Sequence, residues 1–130
     1  MDRLKEEKFV NNFIVKEKRQ RLLYELCSPK KREQAIQKLS CATDDKFVVF
    51  CGATNRDELY NFVARLFDVR KDCYVIADDD DDGRQLAFSV AFEHMCMHGG
   101  EYLILCGDNV VIIKQEYVSG AFSVTVLNKQ

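Results

Sequence analysis

Apolar positions recur at helical spacing through the first forty residues. Two stripes follow an i, i+3, i+4 pattern: Phe9, Val10, Phe13 and Ile14, then Leu22, Leu23 and Leu26. The polar stretch 16–21 interrupts them, so the pattern predicts either two helices or one bent helix. Ser28 and Pro29 favour a stop and a restart, because proline fits the first turn of a helix but not its interior. A further helix is therefore predicted from about Pro29 to Leu39.

From residue 46 onward, continuous apolar runs alternate with helical patterns. Three runs have the length and the β-branched or aromatic content of buried strands: 46–51, 73–77 and 102–106. A helix is predicted after a capping box at 54–57, and another from Leu86 to the pair Gly99-Gly100. Two more strands form a predicted hairpin: 110–115 and 121–127, with Ser119-Gly120 at its turn.

The order of these elements, ααβαβαβββ, predicts a mixed α/β (α+β) class, with N-terminal helices followed by a mixed five-stranded sheet covered by helices. The first three strands are joined by helices, which predicts parallel pairing, and the last two are expected to add antiparallel. No repeat or linker is present, so residues 1–130 are predicted to form a single domain. Within it, a helical arm, 1–40, packs on an α/β body, 41–130.

Composition narrows the class of protein. The 130 residues are 47% hydrophobic and 31% charged, which indicates a globular core rather than a disordered chain. No apolar run approaches the ~20 residues that cross a bilayer, and residues 1–8 contain no apolar signal core, so a cytoplasmic protein is expected. Six cysteines lack Cys-x-x-Cys spacing and are expected to be free thiols: Cys27, Cys41, Cys51, Cys73, Cys96 and Cys106.

Charge is unevenly distributed along the chain. Residues 1–40 carry 11 Lys/Arg and 6 Asp/Glu, whereas residues 41–130 carry 8 and 15, so a net charge of +5 is followed by one of −7. Such asymmetry indicates association with a partner. The basic positions of the arm make an RNA-associated module one alternative: Lys16, Lys18, Arg19, Arg21, Lys30, Lys31 and Arg32. An acidic pI of about 5.7, and Tyr24 as the single aromatic among them, argue against it.

Five consecutive aspartates follow the second predicted strand: Asp78, Asp79, Asp80, Asp81 and Asp82. Because adjacent carboxylates repel one another, this segment must stay solvated or meet positive charge. A solvated turn before the next helix, a basic protein partner and a divalent cation are the three interpretations. An EF-hand is excluded, because its twelfth position would be Ser89 rather than glutamate. Glu93 and Glu101 are weaker candidates for the same partner contact.

Two histidines, His94 and His98, lie four residues apart and hence on one helix face. With Cys96 or Cys106 nearby, they allow a small metal-binding or cysteine-dependent enzyme as an alternative. The segment lacks His-Glu-x-x-His and any third ligand at a recognisable spacing, so no metal site is predicted. Cys51 lies at a strand end, but no general base is identified for it. Segment 52–54 could hold a phosphate at a helix N-terminus, but it has no lysine of the kind found in a P-loop. No catalytic residue or cofactor is predicted.

Several segments together resemble one protein family. The arm segments 13–26 and 28–32, the strand 74–76 with Asp82-Gly83 after it, the run 103–106 and the tail 111–117 are similar to small bacterial proteins encoded beside polymorphic toxins. These are immunity proteins of the contact-dependent growth-inhibition or wall-associated toxin type. The run of aspartates and the cysteines have no counterpart in that family pattern.

The resemblance implies a cytoplasmic antitoxin-like protein without catalytic residues or cofactor. Such proteins bind a cognate toxin domain, commonly a nuclease, stoichiometrically. A nuclease active site is basic because it holds phosphates, so an acidic loop is suited to occlude it. The sequence therefore predicts Asp78–Asp82 as the principal contact with the toxin, and it leaves the oligomeric state open.

Overall fold

The computed structural model of the chain describes residues 1–118 and 121–129, the side chains of 116–118, 121 and 122 excepted. The helices of this part are α1 Arg3–Phe13, α2 Arg19–Cys27, α3 Arg32–Ala42, α4 Arg56–Ala64 and α5 Phe88–Met97. The strands are β1 Val48–Thr54, β2 Asp72–Ala77, β3 Gln85–Ala87, β4 Tyr102–Cys106, β5 Val110–Val118 and β6 Ala121–Asn128. The predicted mixed α/β class, with helices first, is confirmed. Within the described ranges, no helix is long and apolar enough to span a membrane.

The first two apolar stripes form separate helices rather than one bent helix. α1 begins at its N-cap Asp2, whose carboxylate accepts a hydrogen bond from the Lys5 amide at 3.2 Å. It ends because Ile14 adopts an extended conformation and forms a bridge with Thr43, while the Val15 amide donates to the Ala42 carbonyl at 2.9 Å. The chain is thereby tied to the end of α3 before α2 begins.

The third helix begins later than its proline predicts. The Ser28 carbonyl accepts from the amides of Lys31 and Arg32 at 3.1 and 2.9 Å, so Pro29 lies in a turn and α3 starts at Arg32. The capping box before α4 is also displaced by one residue. Asn55, not Thr54, caps that helix, because its side chain accepts from the Glu58 amide at 3.0 Å.

The sheet has six strands in the order β1-β6-β5-β4-β2-β3, and all neighbouring pairs are antiparallel. The predictions of five strands and of parallel pairing among the first three were therefore wrong. The cause is β3, because the apolar pattern from Leu86 onward predicts a helix where the structure has this short strand. It pairs with β2 from Asp72↔Ala87 to Tyr74↔Gln85 and reverses the chain. Helix α5 then returns along the sheet, so β4 enters antiparallel to β2, with Ala77 opposite Tyr102.

Helices cover both faces of the sheet. Helices α1, α2 and α3 pack on one face through a core that includes Phe13, Leu39, Ile76 and Leu103. Helices α4 and α5 pack on the other through a core that includes Leu59, Phe88, Val75, Ile104 and Val126. Alternation along the strands produces this division, because successive side chains point to opposite faces. The predicted hairpin of β5 and β6 is confirmed, whereas its turn at Ser119-Gly120 lies outside the described residues.

Candidate functional site

The five aspartates lie in the connection between β2 and β3, residues 78–84, termed here the acidic loop. Its backbone is closely hydrogen-bonded. The amides of Asp81 and Asp82 donate to the side chain and the carbonyl of Asp79, at 2.8 and 3.1 Å. Gly83 has a φ of 77°, which favours glycine, and its amide donates to the Val75 carbonyl at 2.8 Å. The loop is therefore a folded turn rather than an open solvated segment.

Asp82 faces the helical layer. Its carboxylate makes a two-pronged ion pair with Arg32 of α3, at 2.7 Å to Nε and 2.9 Å to Nη2, and it also accepts from the Ala77 amide at 3.2 Å. Only 8% of the Arg32 side chain and 14% of the Asp82 side chain are exposed. Planar guanidinium groups suit such paired contacts. Asp82 is thus an internal anchor of the acidic loop.

Arg32 joins the acidic loop to two further elements. Its Nη1 and Nη2 each donate to Glu6 of α1 at 2.7 Å, and Nη1 also donates to the Leu26 carbonyl at 2.9 Å. Tyr74 of β2 donates its hydroxyl hydrogen to Glu6 at 2.5 Å. Burial opposes the charge of Arg32, but the hydrogen bonds to Asp82 and Glu6 outweigh it, and the pKa of the guanidinium is raised. Every donor of this buried guanidinium group faces an acceptor.

Asp81 points toward the sheet and is buried. Its Oδ2 accepts from the Tyr102 hydroxyl at 2.6 Å and lies 2.7 Å from His94 Nδ1, while Arg84 lies 3.5 Å from Oδ1. Burial alone would raise the pKa of Asp81, but the hydrogen bonds from Tyr102 and His94 hold it below its ordinary value. Asp81 is therefore a second internal anchor, which joins the acidic loop to β4 and α5.

Asp78 and Asp79 contact His98, the residue that follows α5. His98 Nε2 lies 2.6 Å from Asp78 Oδ1, and its Nδ1 lies 3.2 Å from Asp79 Oδ2. The His98 carbonyl in turn accepts a hydrogen bond from the fully buried Lys114 of β5. Burial lowers the pKa of Lys114, against the raising effects of Cys96, Glu101 and Asp78. One end of the sheet thus gathers several charged groups around His98.

Asp80 is exposed at the tip of the acidic loop, and no hydrogen bond or ion pair is formed by its carboxylate with any described residue. Asp78 and Asp79 also lie at the surface, but their side chains, which contact His98, are only 22% and 34% exposed. Of the five aspartates predicted as partner contacts, the structure therefore turns Asp81 and Asp82 inward and leaves three at the surface.

The two glutamates predicted as weaker contacts differ in their surroundings. Glu93 is exposed on α5 and pairs with Arg56 of α4 at 2.7 Å. Glu101 immediately precedes β4, is partly exposed, and lies close enough to Lys114 to raise the pKa of that amine. Each of these glutamates therefore already interacts with a positively charged side chain.

The histidines are engaged with the acidic loop rather than with a thiol. Cys106 lies four residues beyond Tyr102 on β4, a distance of about 13 Å along the strand. It is buried, and burial raises the pKa of its thiol well above the ordinary value. In the part of the chain that is described, no set of three His, Cys, Asp or Glu side chains is placed to hold a metal ion. The structure therefore does not bring together the residues of the alternative enzyme site.

The other sequence candidates are dispersed over the molecule. Cys51 is exposed on the edge strand β1, with the Thr125 hydroxyl 3.5 Å from its sulfur. In the basic arm, Arg32 is buried, and Arg19 donates from Nε to the Ile14 carbonyl at 2.8 Å. Lys31 lies over the Tyr24 ring, 5.2 Å from its centroid. Two of the seven basic side chains thus serve internal contacts, which weakens the case for a phosphate-binding surface.

An apolar groove of about 580 Å³ adjoins the acidic loop, between the start of α1 and the end of α2. Its apolar lining comes from Met1, Leu23, Tyr24 and Leu26, and charged side chains border it: Arg3, Glu6, Glu7 and Arg32. Met1 also packs against Gly83, since a Cβ placed on that glycine would lie 2.7 Å from Met1 Cγ. Met1 and Tyr24 are 74% and 65% exposed, although both are large apolar side chains.

Three residues that organise this region escaped prediction from the sequence: Glu6, Lys114 and the buried Arg32. The basic pattern of the arm predicts Arg32 to be a surface cation, and nothing local indicates that its partners lie 26 and 50 positions away. The burial of Lys114 has a weak signal, because it directly follows the apolar run 110–113 within one strand.

Comparison of the chain with models of protein families, with curated proteins and with solved structures finds no match.

Proposed function

We propose that this chain is an immunity or antitoxin-like protein that binds a toxin domain and occludes a basic, phosphate-binding active site. The observation that carries the proposal is the division within the acidic loop. Asp81 and Asp82 anchor it internally, whereas Asp78, Asp79 and Asp80 are exposed beside one another. The resemblance of the arm and of segments 103–106 and 111–117 to immunity proteins supports the same function.

Anchoring makes the acidic loop a better binding element than a flexible acidic tail. A rigid turn loses less conformational entropy on association, so more of its interaction free energy contributes to affinity. Three adjacent carboxylates on such a turn match the cations that a nuclease uses to hold phosphates. Complementary charge of this kind accelerates encounter and selects the partner.

The apolar groove beside the acidic loop supplies an apolar contact surface, which the charged loop alone does not. Stable protein interfaces combine a buried apolar or aromatic anchor with a polar rim. Tyr24 and Met1 provide an exposed apolar surface next to the carboxylates, with the partly buried Leu23 beside them. The proposed toxin surface therefore carries a projecting apolar side chain flanked by Lys or Arg.

The first test is co-purification with the protein encoded by the adjacent gene, together with protection of cells that express that protein. Kinetics of the complex then test the mechanism. Asp80→Asn should slow association severalfold at low salt, and the triple variant Asp78→Asn/Asp79→Asn/Asp80→Asn about tenfold or more, with a flatter salt dependence. Asp80→Asn is the cleaner change, because Asp80 has no internal contact among the described residues.

Asp72→Asn is the matched control, since Asp72 is an exposed aspartate at the opposite end of β2. It removes the same charge from the molecule and should leave association unchanged. Equal association rates for Asp80→Asn, the triple variant and the unmodified chain would show that the acidic loop does not take part in the interface. Absence of binding and of protection would exclude the proposed function for that partner.

A further inference from the structure

Strand β1 forms one edge of the sheet. In the described part of the chain its single neighbour is β6, so the backbone groups on its other side pair with no strand. Its seven residues contain neither a charged side chain nor a proline, the usual devices that keep a further strand from adding to an edge. The opposite edge, β3, is only three residues long. The register with β6 shifts between Val48 and Phe50, but it is continuous from Phe50 to Thr54. This part of β1 is therefore open to a further strand.

A groove of about 310 Å³ lies beside this edge, between β1 and α4. Its apolar lining comes from Phe50, Leu59 and Phe62, and the Phe50 and Phe62 rings lie 5.8 Å apart, centroid to centroid. Both rings are only partly buried. Nothing lies within 4 Å of a Cβ placed at Gly52, so there is open space beside the same strand. A strand added to β1 would cover these rings.

Two opposite charges of α4 border the groove, Glu58 and the C-cap residue Arg65. They are seven residues apart, which places them on one face of the helix, about two turns or 10 Å from each other along its axis. Both side chains are exposed, and neither forms an ion pair with a described residue. The contact of Phe62 with Phe50 lies between them. The groove therefore has a negative end and a positive end.

These features are self-complementary about a two-fold axis. Antiparallel pairing of two β1 strands joins two sheets edge to edge, with the axis perpendicular to the joined sheet. The two α4 helices then lie antiparallel to each other on the same face. Glu58 of each copy faces Arg65 of the other, and Phe50 of each copy faces the groove of the other. A second copy thus supplies the strand, the apolar side chain and both charges at once.

We propose that this chain forms a two-fold dimer through β1, in which two six-stranded sheets become one continuous sheet. Main-chain hydrogen bonds between the two Phe50–Thr54 segments hold the dimer, together with the aromatic contacts in the groove and two reciprocal pairs of Glu58 with Arg65. The acidic loop joins β2 and β3 at the other edge of the sheet, so both acidic loops remain accessible. The dimer does not depend on the proposed function.

Sedimentation of the isolated chain tests the dimer, because one chain has a mass of 15.1 kDa and the particle should have twice that mass. Glu58→Lys and Arg65→Glu should each weaken the dimer about tenfold or more, since each variant places like charges opposite one another at two positions. An equimolar mixture of the two variants should restore the dimer, because every facing pair is then opposite in charge. The double variant Glu58→Lys/Arg65→Glu should restore it for the same reason.

Asp57→Lys is the matched control. Asp57 belongs to the same first turn of α4, but it borders the crevice toward α5 rather than this groove. The substitution changes the charge of the chain by the same amount as Glu58→Lys and should leave the dimer unchanged.

Cys51 identifies the strand at the junction, because its thiol is exposed near the middle of β1. Cys27→Ser/Cys41→Ser removes the other two exposed thiols. In that background, a short bifunctional maleimide should link two chains, and a further Cys51→Ser should abolish the link.

A chain that stays monomeric up to about 1 mM, or a dimer that is insensitive to both charge reversals, would overturn the inference. A monomeric chain whose Cys51 is linked to a toxin partner would assign the edge to that partner and would likewise overturn the dimer. Because the isolated chain is measured, failure here and failure of the proposed function are distinguishable.

Discussion

Arg32 joins two carboxylates that are distant in the sequence, Glu6 and Asp82, and buries both against the sheet. Removal of the cation would leave the two carboxylates close together with no positive partner. Breaking a buried ion pair on one side costs about 3–5 kcal/mol. We therefore expect Arg32→Met to lower the free energy of unfolding by that amount, measured by urea denaturation at pH 7.

The control for this change is Arg21→Met. Arg21 belongs to the same basic arm, but 81% of its side chain is exposed, and a change there should stay within about 0.5 kcal/mol. The triple variant Glu6→Gln/Arg32→Met/Asp82→Asn should recover part of the loss, because no uncompensated charge remains buried. A loss below about 1 kcal/mol for Arg32→Met would contradict the buried network.

Asp81 gives the folded chain a defined response to acid. Its pKa is lowered in the folded state, whereas an aspartate in the unfolded chain titrates near about 3.9. The unfolded chain therefore takes up the proton first as the pH falls. The stabilisation from Asp81 is complete above about pH 4 and is lost as the pH falls through the lower, folded value.

Asp81→Asn should accordingly lower the free energy of unfolding at pH 7 by about 1–3 kcal/mol, the cost of weakening a buried hydrogen-bonded charge. It should also flatten the decline of stability between pH 7 and pH 2. Asp80→Asn is the comparison, since its carboxylate has no described partner and should change neither quantity. Parallel stability curves for the unmodified chain and Asp81→Asn would refute the assignment of Asp81 as an anchor.

At the scale of elements, the three-residue strand β3 determines the course of the chain. Its pairing with β2 sends the chain back to the start of that strand, and α5 and β4 follow from there. The sequence did not predict it, because Leu86 and Phe88 fit both the end of a short strand and the first turn of an apolar helix. Long periodic segments such as α1 were predictable, since packing and local pattern agree there.

The reversal into β3 depends on Gly83, whose φ of 77° is unfavourable for residues with a Cβ. Gly83→Ala should lower the free energy of unfolding by about 1–2 kcal/mol. Gly83→Asn should cost less, because asparagine tolerates this conformation better. Gly99→Ala is the control: nothing lies within 4 Å of a Cβ there, and its φ is ordinary. Denaturation curves of the three variants give their free energies of unfolding. Equal losses of stability at Gly83 and Gly99 would contradict a specific requirement for glycine at position 83.

On the scale of the whole molecule, the charge pattern of the sequence predicts where the candidate surface lies, but not which of its aspartates point inward. The run of five aspartates was visible, and its exposure at Asp78–Asp80 follows from electrostatic repulsion. The inward direction of Asp81 and Asp82 was not predictable, because their partners Tyr102, His94 and Arg32 come from other elements. Pairing across such separations is decided by tertiary packing, which a local pattern does not encode.

The pairing of β1 with β6 has a consequence for synthesis of the chain. β1 occupies a sheet edge, and its single neighbour emerges roughly 70 residues later, which at ~5–20 residues per second takes several seconds or longer. During that interval the apolar segment Val48–Phe50 has no strand to pair with. A pause in translation before residue 121 would lengthen its exposure to the chaperones and proteases that recognise unpaired strands.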